Sequence, residues 1–137
     1  MNSDLKSITK ILHGGAAVSL MLTAHAASAQ AYPNKPVRMV VAFAPGGVAD
    51  IMTRVVSARL SELWQMGVIV DNRPGANGAI GSDAVARAPK DGYTLVWVTA
   101  DTHAINPHVY PKLAYDPRKD FASVGIAGYF PYALVAH

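Results

Sequence analysis

Cysteine is absent from the 137 residues, which excludes a disulfide scaffold, a thiolate zinc site, a cysteine nucleophile and a lipidated cysteine anchor. Charge is sparse, at 15% of residues, and nearly balanced in sign, with a formal net charge of +3. The basic residues are scattered and no aromatic stacking platform lies between them, so no nucleic-acid partner is expected. No apolar run reaches the length of a membrane span. Internal repeats and low-complexity tracts are also missing. What is plentiful is apolar or turn-forming: 51% hydrophobic residues, 11 glycines and 9 prolines. That composition describes one foldable domain with many turns, and it excludes both intrinsic disorder and a multidomain enzyme with separate cofactor and substrate domains.

Residues 1–29 read as a cleavable export signal. Lys6 and Lys10 precede an apolar run from Ile11 to Leu22, and Ala27-Ser28-Ala29 supplies the small-x-small pattern of a cleavage site. The plain alternative is a buried N-terminal helix, but the Gly14-Gly15 pair is poor in a packed helix and common in leaders. The mature N-terminus is then Gln30, or Tyr32 if Ala29-Gln30-Ala31 is used, and the product is expected outside the cytoplasm, in the periplasm.

The mature chain alternates strand and helix. Val37–Phe43 is a nearly continuous β-branched run that stops before Pro45-Gly46-Gly47, as a buried strand would. Ile51, Met52, Val55, Val56, Leu60 and Leu63 repeat at helical spacing over about 50–64, with Asp50 in the first turn. Val68–Val70 is a short strand, Ile80, Ala84, Val85 and Ala88 suggest a second helix, and Tyr93–Val98 is a third strand. A loop from Thr99 to Asn106, a short segment near Pro107–Tyr110 and apolar stretches at Val124–Ile126 and Ala133–Ala136 follow. Such alternation predicts an α/β fold with a mostly parallel sheet and right-handed crossovers. Ligands of such sheets sit at the carboxyl ends of the strands, here residues 44–50, 71–78 and 99–104.

Each of those stretches has two readings. Pro45-Gly46-Gly47 ahead of a helix presents backbone N–H groups at a positive dipole end, a seat for a carboxylate or phosphate, or else forms a tight turn without a ligand. It is not a P-loop, because the GxxxxGK[ST] spacing fails. Arg73, beside Asn72 and Pro74-Gly75, either clamps an anion or braces the loop. Thr99, Asp101, Thr102 and His103 offer hydroxyls, a carboxylate and an imidazole. His103 and His108 without a third ligand are weak grounds for a metal. Ser57 or Ser82 with His103 and Asp101 would make a triad, yet no GxSxG elbow exists and both serines fall within predicted helices.

Three segments together, YPNKPVRMVVAFAPGGVAD, VDNRPGANGAIGSDAVARAPKDGYTL and THAINPHVYPKLAYDPRKDF, resemble in order and spacing the tripartite tricarboxylate transporter substrate-binding proteins, the Bug family of periplasmic solute receptors. The resemblance covers nearly all of residues 30–137. It implies one lobe of a Venus-flytrap, periplasmic-binding-protein-like fold whose second lobe is missing, so that the chain is a truncated N-terminal lobe with impaired binding. It also implies a small carboxylate ligand held largely by main-chain amides, delivery to integral membrane permease subunits, no cofactor, no metal and no catalysis. Carried over by position, the ligand-binding residues are Ala44, Pro45, Gly46, Gly47, Val48 and Asp50 in the first loop, Asn72 and Gly75 in the second, and Thr99, Asp101, Thr102 and His103 in the third. Val48 and Val98 stand where the family frequently has small residues or glycine, and Asp101 adds a negative charge. The alternatives are an exported hydrolase or metal-dependent enzyme using His103 and Asp101, or a gene fragment without function.

Overall fold

The structure, a computed structural model, describes residues 31–129 and residue 136. The export-signal reading lies outside the described residues, as does the stretch Ala133–Ala136 apart from Ala136. Strand β1 (Val37–Val41) is central, and its β-branched side chains fit that place: Val37, Met39, Val40 and Val41 are buried and only Arg38 is exposed. Helix α1 (Val48–Trp64) leads to β2 (Val68–Asn72). A single 3-10 turn (Ala76–Gly78) opens α2 (Ala79–Ala86), which leads to β3 (Thr94–Trp97). A wide π-type turn (Asp101–Ile105) then runs into the short α3 (Asn106–Val109).

The sheet is parallel throughout with the order β2-β1-β3, and Val41 lies level with both Asn72 and Trp97. Helix α1 packs on β1 and β2, whereas α2 packs on β3 and β1. The chain leaves β1 toward one side and returns across it to the other, so right-handed crossovers place α1 and α2 on opposite faces. This is the order in which a ligand crevice opens between the loops after β1 and β3.

Several boundaries differ from expectation. β1 ends at Val41, leaving Ala42 and Phe43 to the loop, and α1 begins at Val48 rather than near residue 50. Residues 101–105 coil into the π-type turn instead of an irregular loop. The rotation of α1 is the larger correction. Its buried positions are Asp50, Thr53 and Ser57, while Ile51, Val55 and Leu63, expected on the core side, are 54%, 61% and 61% exposed. The cause is Asp50, whose carboxylate is tied to the loop after β1 and to β2 and so fixes which face turns inward. Val124 and Ile126 lie in a segment without helix or strand, and both side chains are exposed.

At the amino ends of the strands, Tyr32 packs edge-on to Trp64 and tilts against Tyr93, with ring centroids 6.0 and 5.0 Å apart, and donates to Gly92 O at 2.7 Å. Lys35 pairs with Asp91 at 3.0 Å and lies over the Tyr93 ring. These contacts anchor the entry to β1. They leave the carboxyl ends as the face where loops gather.

Candidate functional site

The first loop owes its shape to one glycine and one acid. Gly46 has φ +82, a left-handed backbone that favours glycine, while Gly47 has an ordinary φ of −76. Asp50 sits in the first turn of α1 and is 3% exposed. Its carboxylate accepts from Gly46 N–H (2.8 Å), Arg54 Nε (3.0 Å) and Asn72 Nδ2 (2.9 Å). Hydrogen bonds from Arg54, Gly46 and Asn72 lower its pKa to about 2. Asn72 also donates to Phe43 O and accepts from Arg54. Asp50, Asn72 and Arg54 therefore bond to one another and brace the first loop against β2. Sequence reasoning missed Arg54, although its i,i+4 spacing from Asp50 was a visible sign.

That bracing leaves the start of α1 facing outward. The first intrahelical bond runs from Ile51 N–H to Gly47 O at 3.0 Å, so the N–H groups of Gly47, Val48 and Ala49 precede the helical ladder. Ala44, Pro45, Gly46, Gly47 and Val48 are all exposed. Amides at the positive end of a 17-residue helix suit an anion.

In the second loop Arg73 pairs with Asp71 at 2.9 Å, so its guanidinium braces the end of β2. Gly75 has φ +126, a backbone that L side chains rarely adopt, and a Cβ there would also push aside the end of the Ile80 side chain, 2.5 Å away. Gly78 packs on the third loop so closely that a Cβ there would fall 2.5 Å from Cγ2 of the buried Thr102. Beside that contact, Asn77 Nδ2 donates to Asn106 Oδ1 and Asn106 Nδ2 donates to Asn77 O, both at 2.9 Å. Asn106, which the sequence did not single out, is fully buried.

The third loop closes on Thr102. Its hydroxyl donates to Thr99 O (3.1 Å) and accepts from Thr99 N–H (3.2 Å), and its carbonyl accepts from the Tyr115 hydroxyl. Asp101 accepts from the Thr99 hydroxyl at 3.3 Å. With the Thr102 proton given to Thr99, the 3.0 Å contact to His103 Nδ1 is best served by Nδ1–H donating, an assignment from the hydrogen-bond pattern. His103 packs against Phe121 and Tyr115, with centroids 4.7 and 5.9 Å away, and its Nε2 is buried without a partner. Burial lowers its pKa, favouring the neutral ring.

Among the described residues the serine triad weighed from the sequence is not assembled. Ser57 and Ser82 are buried and their hydroxyls have no hydrogen-bond partner, so neither is joined to His103 or Asp101. Among the described residues no group of three His, Asp or Glu is placed to hold a metal, and no helix is long and apolar enough to cross a membrane. Two open concavities, about 540 Å3 beside Pro107, Tyr110 and Asp120 and about 480 Å3 beside Lys35, Arg38 and Tyr93, contain no residue of the three loops. The arrangement at the strand ends is thus a rim of exposed main chain, with both nearby guanidiniums already paired to carboxylates.

The model of the tripartite tricarboxylate transporter family receptor matches residues 52–137. The chain belongs to this family. A UPF0065 protein of Bordetella bronchiseptica is 44% identical over 119 residues, 87% of this chain and 36% of the relative, and BugT of Bordetella pertussis is 38% identical over 111 residues, 80% and 34% of the two chains. The chain therefore spans about a third of the length of these relatives. Among solved structures, the periplasmic binding protein BugD is similar at 38% identity with a TM-score of 0.62, over 66% of this chain and 30% of that one. A R. palustris protein solved with adipate is 41% identical with a TM-score of 0.62, over 64% and 29%. MatC from Rhodopseudomonas palustris, with bound malate, is 37% identical with a TM-score of 0.63, over 66% and 31%. The chain thus has the α/β, parallel-sheet architecture of periplasmic binding proteins, and two of the solved proteins it resembles hold adipate and malate.

Proposed function

We propose that residues 30–137 form the N-terminal lobe of an exported, non-catalytic receptor that binds a small carboxylate at the carboxyl ends of its strands and delivers it to the membrane subunits of a tripartite transporter. The observation that carries this reading is the outward-facing start of α1: the amides of Gly47, Val48 and Ala49 precede the helical ladder while Asp50 turns inward onto Arg54 and Asn72. A carboxylate seated there meets oriented N–H donors and a positive helix end, and needs no free cationic side chain. The relatives solved with adipate and malate support the ligand class. Ala44, Pro45, Gly46 and Val48 complete the first wall of the site in this reading, with Gly75 and the turn Thr99–His103 as the others. Asp50 and Asn72 act by holding the first loop.

One lobe on its own offers an open, hydrated face, so binding by the chain alone should be no tighter than about millimolar, near −4 kcal/mol. Titration of the purified chain with malate, adipate, citrate and glutamate, followed by amide chemical shifts, tests the reading. Saturable shifts at Gly47, Val48 and Ala49 are expected; no shift with any of the four acids would refute it. Export belongs to the same proposal: N-terminal sequencing should give Gln30 or Tyr32, and a retained Met1 on the folded protein would count against it.

A further inference from the structure

We propose that Asn106 is a positioning residue for this site, acting through Asn77 to hold the second loop against the turn that follows β3. The inference rests on the carboxylate reading above. The residues Pro74, Gly75, Ala76 and Asn77 are all exposed, so the loop has no apolar side chain sunk into the core to fix its place. Three of them also take positive φ values: Gly75 (126), Ala76 (47) and Asn77 (49). A segment in that conformation needs external bonds to stay there.

Asn106 supplies them from a fully buried position. Its planar carboxamide accepts from the Asn77 side chain and donates to the Asn77 main-chain carbonyl, both at 2.9 Å. That exchange requires one acceptor and one donor side by side at this reach, which a carboxamide provides and a carboxylate does not. The bonds span 29 residues of sequence and join the two loops next to the Gly78–Thr102 contact. A binding rim made of main-chain groups works only if its segments are held to within about half an ångström.

Asn106→Asp in the full chain tests this, because a protonated Asp recovers one O–H donor and one C=O acceptor at the same reach. Affinity for malate and adipate would be measured from about pH 5 to about pH 8 beside the parent, which carries the same Asp101 and His103 and corrects for their titration and the ligand's own. At the upper pH, the variant should bind about tenfold more weakly than the parent, the difference closing as the buried carboxyl protonates. Asn106→Leu, measured in parallel, should stay weak at every pH. Unfolding in urea identifies the conditions in which each variant is folded, and binding is compared only there. A folded Asn106→Asp whose affinity follows the parent across the whole range overturns the proposal. Should the variant not fold at the upper pH, Asn77→Gly decides, since it tolerates the left-handed backbone and deletes only the side-chain bond: a severalfold loss of affinity supports the proposal and an unchanged affinity overturns it. Absence of binding by the parent itself would instead overturn the carboxylate reading, and this inference with it.

Discussion

Gly81 carries the sharpest stability prediction. It lies inside α2, where alanine is normally preferred to glycine by about 1 kcal/mol. Propensity alone therefore predicts that Gly81→Ala stabilises. The packing says otherwise, because a Cβ at Gly81 would lie 2.8 Å from Ala42 Cα, 2.9 Å from Ala42 Cβ and 2.9 Å from Arg73 O. Two of these three are main-chain atoms, which cannot rotate away, and ordinary contact begins at 3.4 Å. The helix would have to lift by about half an ångström, losing close-packed contacts along its length. Overpacking costs about 1–3 kcal/mol, and contact with main-chain atoms puts Gly81 in the upper part of that range, about 2–3 kcal/mol; after the propensity gain of about 1 kcal/mol the net effect is a destabilisation of about 1–2 kcal/mol. For a domain of this size that corresponds to a fall in Tm of about 5–15 °C. Gly47→Ala is the internal control, since the nearest atom to its added Cβ is Ala44 O at 3.6 Å and the backbone is ordinary. Thermal unfolding by circular dichroism reads both. A Gly81→Ala chain as stable as the parent would refute the argument.

Three further outcomes are expected. Gly47→Val should fold normally but lose about 1–3 kcal/mol of carboxylate binding, as its side chain crowds the start of α1 and strands amide donors; unchanged affinity by calorimetry would remove the first loop from the site. Acid should destabilise the fold in two windows: His103, whose folded pKa lies below its ordinary 6.5, holds its contribution above that value and loses it as pH falls below, and Asp50 loses its own as pH drops from 3.8 toward about 2. Urea midpoints that stay level from neutrality to pH 3.8 would contradict the first window, and those of Asp50→Asn matching the parent's pH slope would contradict the second. Tyr32→Ala should cost about 1–2 kcal/mol through its two ring contacts, read as a lower urea midpoint, and no change would show that the entry to β1 is anchored elsewhere.

How far the sequence disclosed this architecture depends on what each residue answers to. β1 was legible because Val37, Val40 and Val41 lie in a central strand against which both helices pack, and a continuous β-branched run is the direct mark of that place. The existence of α1 was legible from apolar spacing, but its rotation was not. Thr53 and Ser57 lie inward because small side chains let the helix sit close to the sheet, and Asp50 lies inward because its partners are Gly46, Arg54 and Asn72. A hydrophobic pattern weighs none of these bonds, so it points Ile51 and Val55 to the core when both face out. The three loops were likewise legible, since the alternation of strands and helices places their ends on one side. The Asn77–Asn106 exchange was not, because neither residue carries a local signature and the two meet only after the chain has crossed the sheet.

The division of labour among the polar residues follows from the same contrast. A guanidinium beside a candidate anion site suggests a clamp, a reading the sequence invites for Arg73 and the structure raises for Arg54 as well. Each instead meets a carboxylate, Arg54 with Asp50 at 3.0 Å and Arg73 with Asp71 at 2.9 Å. Drawing either onto a ligand would leave its acid without that partner, and for Asp50, with a side chain only 5% exposed, the loss falls on a group already withdrawn from water. The main chain has no such obligation. The amides of Gly47, Val48 and Ala49 precede the ladder of α1, so in the proposed site an arriving carboxylate breaks no bond of that helix to reach them. Side-chain charge at this end of the sheet is spent on holding the loops, and the proposed site leaves recognition of the ligand to the backbone those loops present.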